Sequence, residues 1–122
     1  MKIYCAHSRS FNFMEDFYLP LKKTLGSKHE LILPHEPNKK ELHSKKIIEG
    51  CDLIIAEVSY PSTGMGIELG WAEASKVPII AVYKKGKVVS PSIPLIAKQC
   101  IEYGSQQELT RELEKTILNL KK

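Results

Sequence analysis

Residues 53–72, LIIAEVSYPSTGMGIELGWA, decide the fold of this chain. Their first part, residues 53–58, is a short apolar run typical of a strand that is buried on both faces. A loop rich in serine, proline and glycine follows, and residues 64–76 have the composition of a helix. A buried strand that leads through such a loop into a helix is the unit from which parallel α/β sheets are built.

The same alternation extends over the whole chain. Four other apolar segments have the length of strands and are separated by helical patterns, namely residues 2–6, 30–33, 77–83 and 100–103. The sequence therefore predicts a single α/β domain over residues 1–122. We expect a flavodoxin-like (Rossmann-like) three-layer sandwich, with a five-stranded parallel sheet of order 2-1-3-4-5.

The first predicted helix contains a conflict. Apolar residues recur at helical spacing from Met14 to Leu25, and Gly26 would end the helix. Pro20 lies inside this pattern, and a proline in a helix interior costs about 3 kcal/mol. Either the helix kinks there, or it starts near Pro20 after a looser turn.

Capping residues predict two further helix starts. Asn38 with Glu41 three residues later predicts a helix that extends to about Gly50. Ser105 with Glu108 forms a second capping box, and an apolar helical face follows it.

The composition excludes several classes of function. The net charge is +4, but the lysines are scattered and no basic stripe with interleaved aromatics appears, so no nucleic-acid polymer is expected as a partner. No apolar run reaches the length of a membrane span and no secretory signal is recognisable, so we expect a cytoplasmic protein without a membrane partner. Cys5, Cys51 and Cys100 are predicted to be reduced and buried. The histidines lack metal-ligand spacing, so neither a metal nor a cofactor is expected.

Parallel sheets bind their ligands beyond the carboxyl ends of the strands, at the point where the strand order reverses. This rule brings residues 6–12, after the first strand, close to residues 57–68, after the third. Ser8, Arg9 and Ser10 would contact a phosphate or a ribose there, or would form a solvated loop. Glu57 at the same edge could hold loop amides or a sugar hydroxyl.

The loop before the third helix has the features of an anion site. Gly64 and Gly66 would let the backbone approach a ligand closely, and amides at a helix start point toward an anion. The pattern matches neither the dinucleotide fingerprint nor the P-loop, so glycines needed for tight packing are an equally open interpretation. Glu68, predicted in the first helical turn, would repel a phosphate unless it faces another part of the ligand, such as a sugar carbon.

These residues resemble the nucleoside 2-deoxyribosyltransferase superfamily, and within it the 2′-deoxynucleoside 5′-phosphate N-hydrolases. The resemblance is carried by residues 51–72, with weaker matches at residues 3–4, 76–78 and 88–90. It implies that Glu68 is the nucleophile at the anomeric carbon and that Tyr4, otherwise a core residue, assists it. Ser62 occupies the position where transferases of free nucleosides carry an aspartate, and a serine there implies a 5′-monophosphate substrate. Ser90 resembles a residue that the neighbouring subunit contributes, which implies a homodimer with shared active sites.

Two positions depart from the family pattern. Ser44 replaces the aspartate that helps to protonate the leaving base, and general acid catalysis typically contributes about 10²–10⁴-fold. Helix geometry would turn Glu41 and His43 away from that position. His7 replaces a glycine and is a hypothetical substitute for the missing acid.

Three hypotheses follow. The favoured one is an N-glycosidase that cleaves the base–sugar bond of (deoxy)nucleoside 5′-monophosphates, or transfers the sugar to another base. The second is a non-catalytic nucleotide-binding module, suggested by Ser44 and His7. The third is a purely structural domain without affinity for a ligand.

Overall fold

A computed structural model of the chain describes residues 1–37 and 44–120. The strands are β1 Lys2–His7, β2 Glu30–Ile32, β3 Leu53–Glu57, β4 Ile79–Lys84 and β5 Gln99–Tyr103. The helices are α1 Leu19–Leu25, α2 Ser44–Glu49, α3 Thr63–Ala74, α4 Ile93–Ile96 and α5 Gln106–Leu120. A wide π-helical turn, Met14–Tyr18, precedes α1.

The strands form one parallel sheet of order β2-β1-β3-β4-β5. The predicted fold class and strand order are therefore confirmed. The strand β3 lies at the centre of the sheet and all five of its residues are buried, because helices cover both faces of a parallel sheet. Its register with β1 runs from Ile3 opposite Leu53 to His7 opposite Glu57, so these two strands end at the same level.

The two faces of the sheet have separate cores, because successive residues of a strand point to opposite sides. On one face, Ile3 and Cys5 pack with residues of α1 and α5. On the other face, Tyr4 and Ala6 pack with residues of α2 and α3. Tyr4 and His7, three positions apart on β1, therefore face different layers of helices.

The wide turn before α1 resolves the conflict at Pro20. The Leu19 amide donates to the carbonyl of Met14, five residues back, and Pro20 then occupies the second position of α1. A proline is tolerated in the first turn of a helix, because the backbone N–H that it lacks would have no acceptor within that helix. Tyr18 and Leu19 both keep helical dihedral angles, so the π-helical turn runs directly into α1 without a break. The wider turn, within one continuous helical stretch, is what accommodates Pro20.

The helix α3 begins one residue before the predicted start and ends two residues before the predicted end. Its C-terminal turn is a Schellman motif: the Val77 amide donates to the Ala72 carbonyl at 2.9 Å, and the Lys76 amide to that of Glu73 at 3.1 Å. Lys76 has a φ of 60°, in the left-handed region where glycine is usual. The chain thus leaves α3 sharply, and β4 begins at Ile79 instead of residue 77.

The prediction for the cysteines was correct for two of the three. Cys5 and Cys51 are buried, but Cys100 is exposed. It lies on the edge strand β5, where three of the five residues are exposed. The predicted cap at Asn38 and Glu41 falls outside the described residues. Within the ranges 1–37 and 44–120, no helix combines the length and apolarity needed to cross a bilayer; the cytoplasmic location stays a prediction.

Candidate active site

A cavity of about 730 Å³ opens at the carboxyl edge of the sheet. This size is within the range of small-molecule sites. One wall is formed by α3 and the residue before it, through side chains that include Ser62, Met65, Glu68 and Trp71. The opposite wall comes from the ends of β1 and β2 and from the described start of α2, through His7, Arg9, His35, Ser44 and Lys45.

Three polar side chains from three different elements meet beside this cavity: Ser44 and Glu68 line it, and Tyr4 is buried behind them. The Tyr4 hydroxyl, on β1, donates a short hydrogen bond to Oε2 of Glu68 on α3. The Oγ of Ser44, on α2, lies 3.3 Å from the same Tyr4 hydroxyl. A phenol has one proton, and Tyr4 donates it to Glu68. The Ser44 hydroxyl can in turn donate to the Tyr4 oxygen or to the Glu68 carboxylate. The structure thus joins Tyr4, Glu68 and Ser44 into one hydrogen-bonded cluster.

The environment of this cluster changes its acid–base properties. Burial raises the pKa of Glu68 above its usual value, and the hydrogen bonds from Tyr4 and Ser44 oppose that rise. Burial, followed by the hydrogen bond with Glu68, raises the pKa of Tyr4. Tyr4 therefore stays protonated at neutral pH and remains a donor, while Glu68 is a poorly solvated carboxylate. A carboxylate with few water contacts is a stronger nucleophile than one in bulk water.

Glu68 lies in the second turn of α3, so its predicted place in the first turn was wrong. Ser62 is the N-cap of the helix, and the first turn carries no acidic residue. At about 1.5 Å per residue, Glu68 lies roughly 9 Å along the axis from Ser62. This distance removes the apparent conflict between a carboxylate and an anion site, because the two groups can contact opposite ends of one ligand.

The start of α3 provides fewer ligand-binding amides than predicted. The Gly66 amide already donates to the carbonyl of Ser62 at 3.0 Å, as the first regular bond of the helix. Ser62 Oγ accepts from the Met65 amide at 3.4 Å, a bond that uses a lone pair and leaves the hydroxyl proton for another acceptor. The amides of Thr63 and Gly64 are the two that have no acceptor within the helix. The Gly66 amide is therefore not free to bind an anion, and a contact between Gly66 and a substrate stays a prediction.

Packing within the chain does not explain the glycines. A Cβ on Gly66 would meet no atom within 4 Å, and a Cβ on Gly64 would only approach Ser62 Oγ at 4.0 Å. Gly64 lines the cavity, whereas Gly66 does not. The interpretation that both glycines serve tight packing thus lacks support from the neighbouring atoms of the chain.

The loop after β1 is held together by its own serines. Ser8 Oγ lies 2.8 Å from Ser10 Oγ and accepts from the Ser10 amide at 3.1 Å. Arg9, between them, lines the cavity, but neither serine does. The structure therefore brings Arg9 to the site, whereas the buried Ser8 and the exposed Ser10 bond to each other outside the cavity lining.

His7 lines the cavity but is fully engaged. Its Nδ1 lies 2.7 Å from the Ser8 carbonyl and its Nε2 lies 2.6 Å from the Tyr18 hydroxyl. The carbonyl can only accept, so Nδ1 carries the proton and Nε2 accepts from Tyr18. Burial lowers the pKa of His7 to about 4. A neutral imidazole without a spare proton cannot act as a general acid, which argues against the hypothesis that His7 replaces the missing aspartate.

Glu57 points away from the cavity. It is completely buried and accepts hydrogen bonds from the Ser59 amide at 2.6 Å, from the Ser59 hydroxyl at 3.1 Å and from the Tyr103 hydroxyl. Of its two predicted roles, the structure supports the holding of a loop amide and not the contact with a sugar. It anchors the chain immediately before the Ser62 loop.

Ser90 lies outside the cavity on the exposed segment that follows β4, and its Oγ accepts from the Ser92 amide at 3.4 Å. Within one subunit it is therefore not brought together with Glu68. Its predicted role remains dependent on a second subunit.

Sequence reasoning missed six residues that line the cavity: His35, Lys45, Lys46, Met65, Ile67 and Trp71. His35 follows β2 at the ligand edge, a position that the strand order could have indicated. Trp71 is three residues after Glu68 and so lies on the same face of α3.

Comparison with solved structures identifies the class of fold. The chain has the fold of the nucleoside 2-deoxyribosyltransferase-like proteins. It superposes on a solved CMP N-glycosidase of Clostridium botulinum with a TM-score of 0.67 and 25% sequence identity, over 93% of this chain and 99% of that one.

A curated relative supports the same class. A protein of Syntrophotalea carbinolica, which is named a 2′-deoxynucleoside 5′-phosphate N-hydrolase with the assignment marked as provisional, is 38% identical over 73 residues. The match covers 57% of this chain and 51% of the relative, so the chain spans about half the length of the relative that it matches. No family model matches the chain. The resemblance to the superfamily is thereby confirmed.

Proposed function

We propose that this chain is an enzyme that cleaves the N-glycosidic bond of a nucleoside 5′-monophosphate, with Glu68 as the nucleophile. The single observation that carries the proposal is the cluster of Tyr4, Ser44 and Glu68 beside a ligand-sized cavity. The names of the two similar proteins, an N-hydrolase and an N-glycosidase, support the same chemistry.

The ligand would lie along α3. Its phosphate would accept from the amides of Thr63 and Gly64 and from the Ser62 hydroxyl, where the helix dipole favours negative charge. The pentose would then lie at the level of Glu68, and the base would lie beyond it, next to Trp71. Arg9, on the opposite wall, adds a positive charge for the phosphate.

The chemical step follows from this arrangement. The Glu68 carboxylate attacks the anomeric carbon through an oxocarbenium-like state, the carbon–nitrogen bond breaks, and its electron pair leaves with the base. Tyr4 holds the carboxylate oxygen in position, since its hydroxyl donates directly to it. Water then hydrolyses the glycosyl ester and releases the sugar phosphate. A second base in place of that water would make the reaction a sugar transfer.

A base-release assay tests the proposal. Purified protein is incubated with the common ribo- and deoxyribonucleoside 5′-monophosphates, and free base is measured by chromatography. We expect base release from at least one monophosphate and far slower release from the corresponding nucleosides. Binding of monophosphates without any base release would favour the non-catalytic module, and the absence of any thermal shift with the same panel would favour the structural domain.

We further propose a homodimer in which Ser90 of one subunit completes the site of the other. The support is the exposed position of Ser90 outside its own subunit's cavity and the resemblance of residues 88–90 to the family.

Mixing of two inactive variants tests the shared site. Ser90→Asp would set a carboxylate against the phosphate in the partner's site, and Glu68→Gln removes the nucleophile. In a mixed dimer, one site carries both defects and the other carries neither. Because about half of randomly assorted dimers are mixed, about a quarter of wild-type activity should return on co-refolding. A mixture as inactive as its components, or a monomer by light scattering, would contradict the shared site.

A further inference from the structure

The cavity has an unusual charge distribution for an N-glycosidic site. Among the described residues that line it, Glu68 is the sole carboxylate, whereas Arg9, Lys45 and Lys46 are cationic. The proposed reaction requires that the base leave with the electron pair of the broken bond. Some group must therefore protonate the base or stabilise its negative charge.

The described residues offer no suitable acid at the base end. The Ser44 hydroxyl is a weak acid. The Nδ1 proton of His7 is donated to the Ser8 carbonyl, and its Nε2 accepts the proton of the Tyr18 hydroxyl. His35 lines the cavity, but burial, followed by the charge of Arg9, lowers its pKa, so that it is neutral at neutral pH. A neutral imidazole is a weak proton donor.

Two lysines follow Ser44 directly in the chain and line the same cavity. The helices that cover a parallel sheet run antiparallel to its strands, so α2 and α3 run side by side in the same direction. Ser44 is level with Glu68, because it lies next to the Tyr4 hydroxyl that Glu68 binds. The step from Ser44 to Lys45 and Lys46 therefore leads away from the phosphate end and toward the base end of α3.

We propose that Lys45 and Lys46 stabilise the departing base as an anion in place of a general acid. This inference rests on the proposed function and narrows its substrates to monophosphates of pyrimidinediones, the uracil-type bases. In such a base, the electron pair released on the ring nitrogen spreads onto two carbonyl oxygens, which the lysine ammonium groups attract. The anion takes a proton from water after release, and the water that hydrolyses the Glu68 ester returns one to the solvent, so the overall reaction is hydrolysis.

A leaving-group series measures this role. The substrates are the nucleoside 5′-monophosphates whose bases are 5-fluorouracil, uracil, thymine and cytosine. Their sugar is the one, ribose or deoxyribose, that the base-release assay identifies. Base release is measured in single-turnover reactions. Fluorine makes the ring N–H more acidic with little change in shape. We expect rates in the order 5-fluorouracil, uracil, thymine, with cytosine slowest. The double variant Lys45→Ala/Lys46→Ala should lose roughly 10- to 100-fold in rate with uracil, and more with thymine.

Matched variants separate this role from general electrostatics. Lys98→Ala/Lys115→Ala removes the same charge from exposed positions outside the cavity and should keep the wild-type rate. Lys45→Arg/Lys46→Arg should restore most of the lost rate. For Lys45→Ala/Lys46→Ala, KM should stay within about threefold of the wild-type value. The reason is that these two lysines act mainly in the transition state, when the departing base carries charge.

Several results would overturn the inference. A single-turnover rate that does not vary with the leaving base would show that the lysines do not stabilise an anion. An unchanged rate in Lys45→Ala/Lys46→Ala would show the same. A rise in KM without a change in rate would place them at the phosphate. A collapse of the rate in His35→Gln, Glu41→Gln or His43→Gln, with a flat leaving-group series, would identify a conventional acid. Failure of the proposed function itself would differ from all of these, since no monophosphate would then release its base.

Discussion

Replacement of Glu68 by glutamine is expected to lower base release by at least about 10⁴-fold, because an amide cannot form the glycosyl ester. Glutamine has almost the same shape and can still accept the hydrogen bond from Tyr4, so the cavity and the fold should be preserved. Binding of the monophosphate should remain equal or become tighter, since the variant removes a carboxylate from a site that holds an anion. Single-turnover base release and the Kd from calorimetry measure the two effects.

The control for this variant is Glu73→Gln, an identical change on the exposed side of the same helix. It should leave the rate unchanged. The wild-type pH profile provides an independent check: burial raises the pKa of Glu68, so kcat/KM should fall as the pH drops through a value above the usual range of a glutamate. Undiminished turnover by Glu68→Gln would end the proposal that this residue is the nucleophile.

Ser62→Asp is expected to invert the preference for a phosphate. An aspartate still caps a helix well, so α3 should form as before. Its carboxylate, however, would lie where the phosphate accepts from the Ser62 hydroxyl, and like charges at such a distance cost several kcal/mol. We expect kcat/KM for the monophosphate to fall by about 10²–10³-fold. The free nucleoside should be cleaved as fast as before or faster, since the carboxylate can accept from its 5′-hydroxyl.

The matched control is Ser62→Asn, which has the shape of aspartate, caps the helix equally well and carries no charge. It should retain most of the activity toward the monophosphate. The diagnostic quantity is the ratio of kcat/KM for the monophosphate to that for the nucleoside, measured for both variants. If asparagine and aspartate lowered this ratio equally, the effect would be steric, and Ser62 would not mark the phosphate end of the site.

Both predictions depend on the separation between Ser62 and Glu68. A dianionic phosphate and a carboxylate in contact would destabilise the complex, but about one and two-thirds helical turns between Ser62 and Glu68 place each against a different part of the ligand. The helix α3 thus presents an anion-binding end and a reactive carboxylate on one rigid element. Such an element can position two groups more precisely than separate loops could.

Much of this architecture could be predicted from local patterns. The apolar run at residues 53–58 and its four counterparts predicted the parallel sheet, because a strand that is buried on both faces must be apolar throughout. The strand order followed from the flavodoxin-like topology expected of such a sheet. The choice of Gly64 and Glu68 as candidate residues followed from a loop that leads into a helix at the ligand edge of that sheet. The role of Ser62 was implied by the resemblance to the superfamily. Local chemistry alone, however, placed Glu68 one turn too early and overcounted the free amides.

The remaining features that local patterns did not predict depend on atoms that are distant in the sequence. Ser44 meets the Tyr4 hydroxyl across 40 positions of chain, and Glu68 meets it across 64. His7 was interpreted from its neighbours in sequence, yet its function is limited by Tyr18, which lies eleven residues further on and contacts it from the helical layer on the same face of the sheet. Cys100 appeared apolar in context, but its strand lies at the exposed edge.

The amino-acid sequence by itself determined the alternation of strands and helices, the parallel sheet and the edge where a ligand would bind, because these follow from periodicities within a few residues. Only the tertiary structure decided which polar groups share a cavity and which are already committed to partners. Hydrogen bonds and burial depend on the distance between atoms in space, and packing sets that distance between segments far apart along the chain.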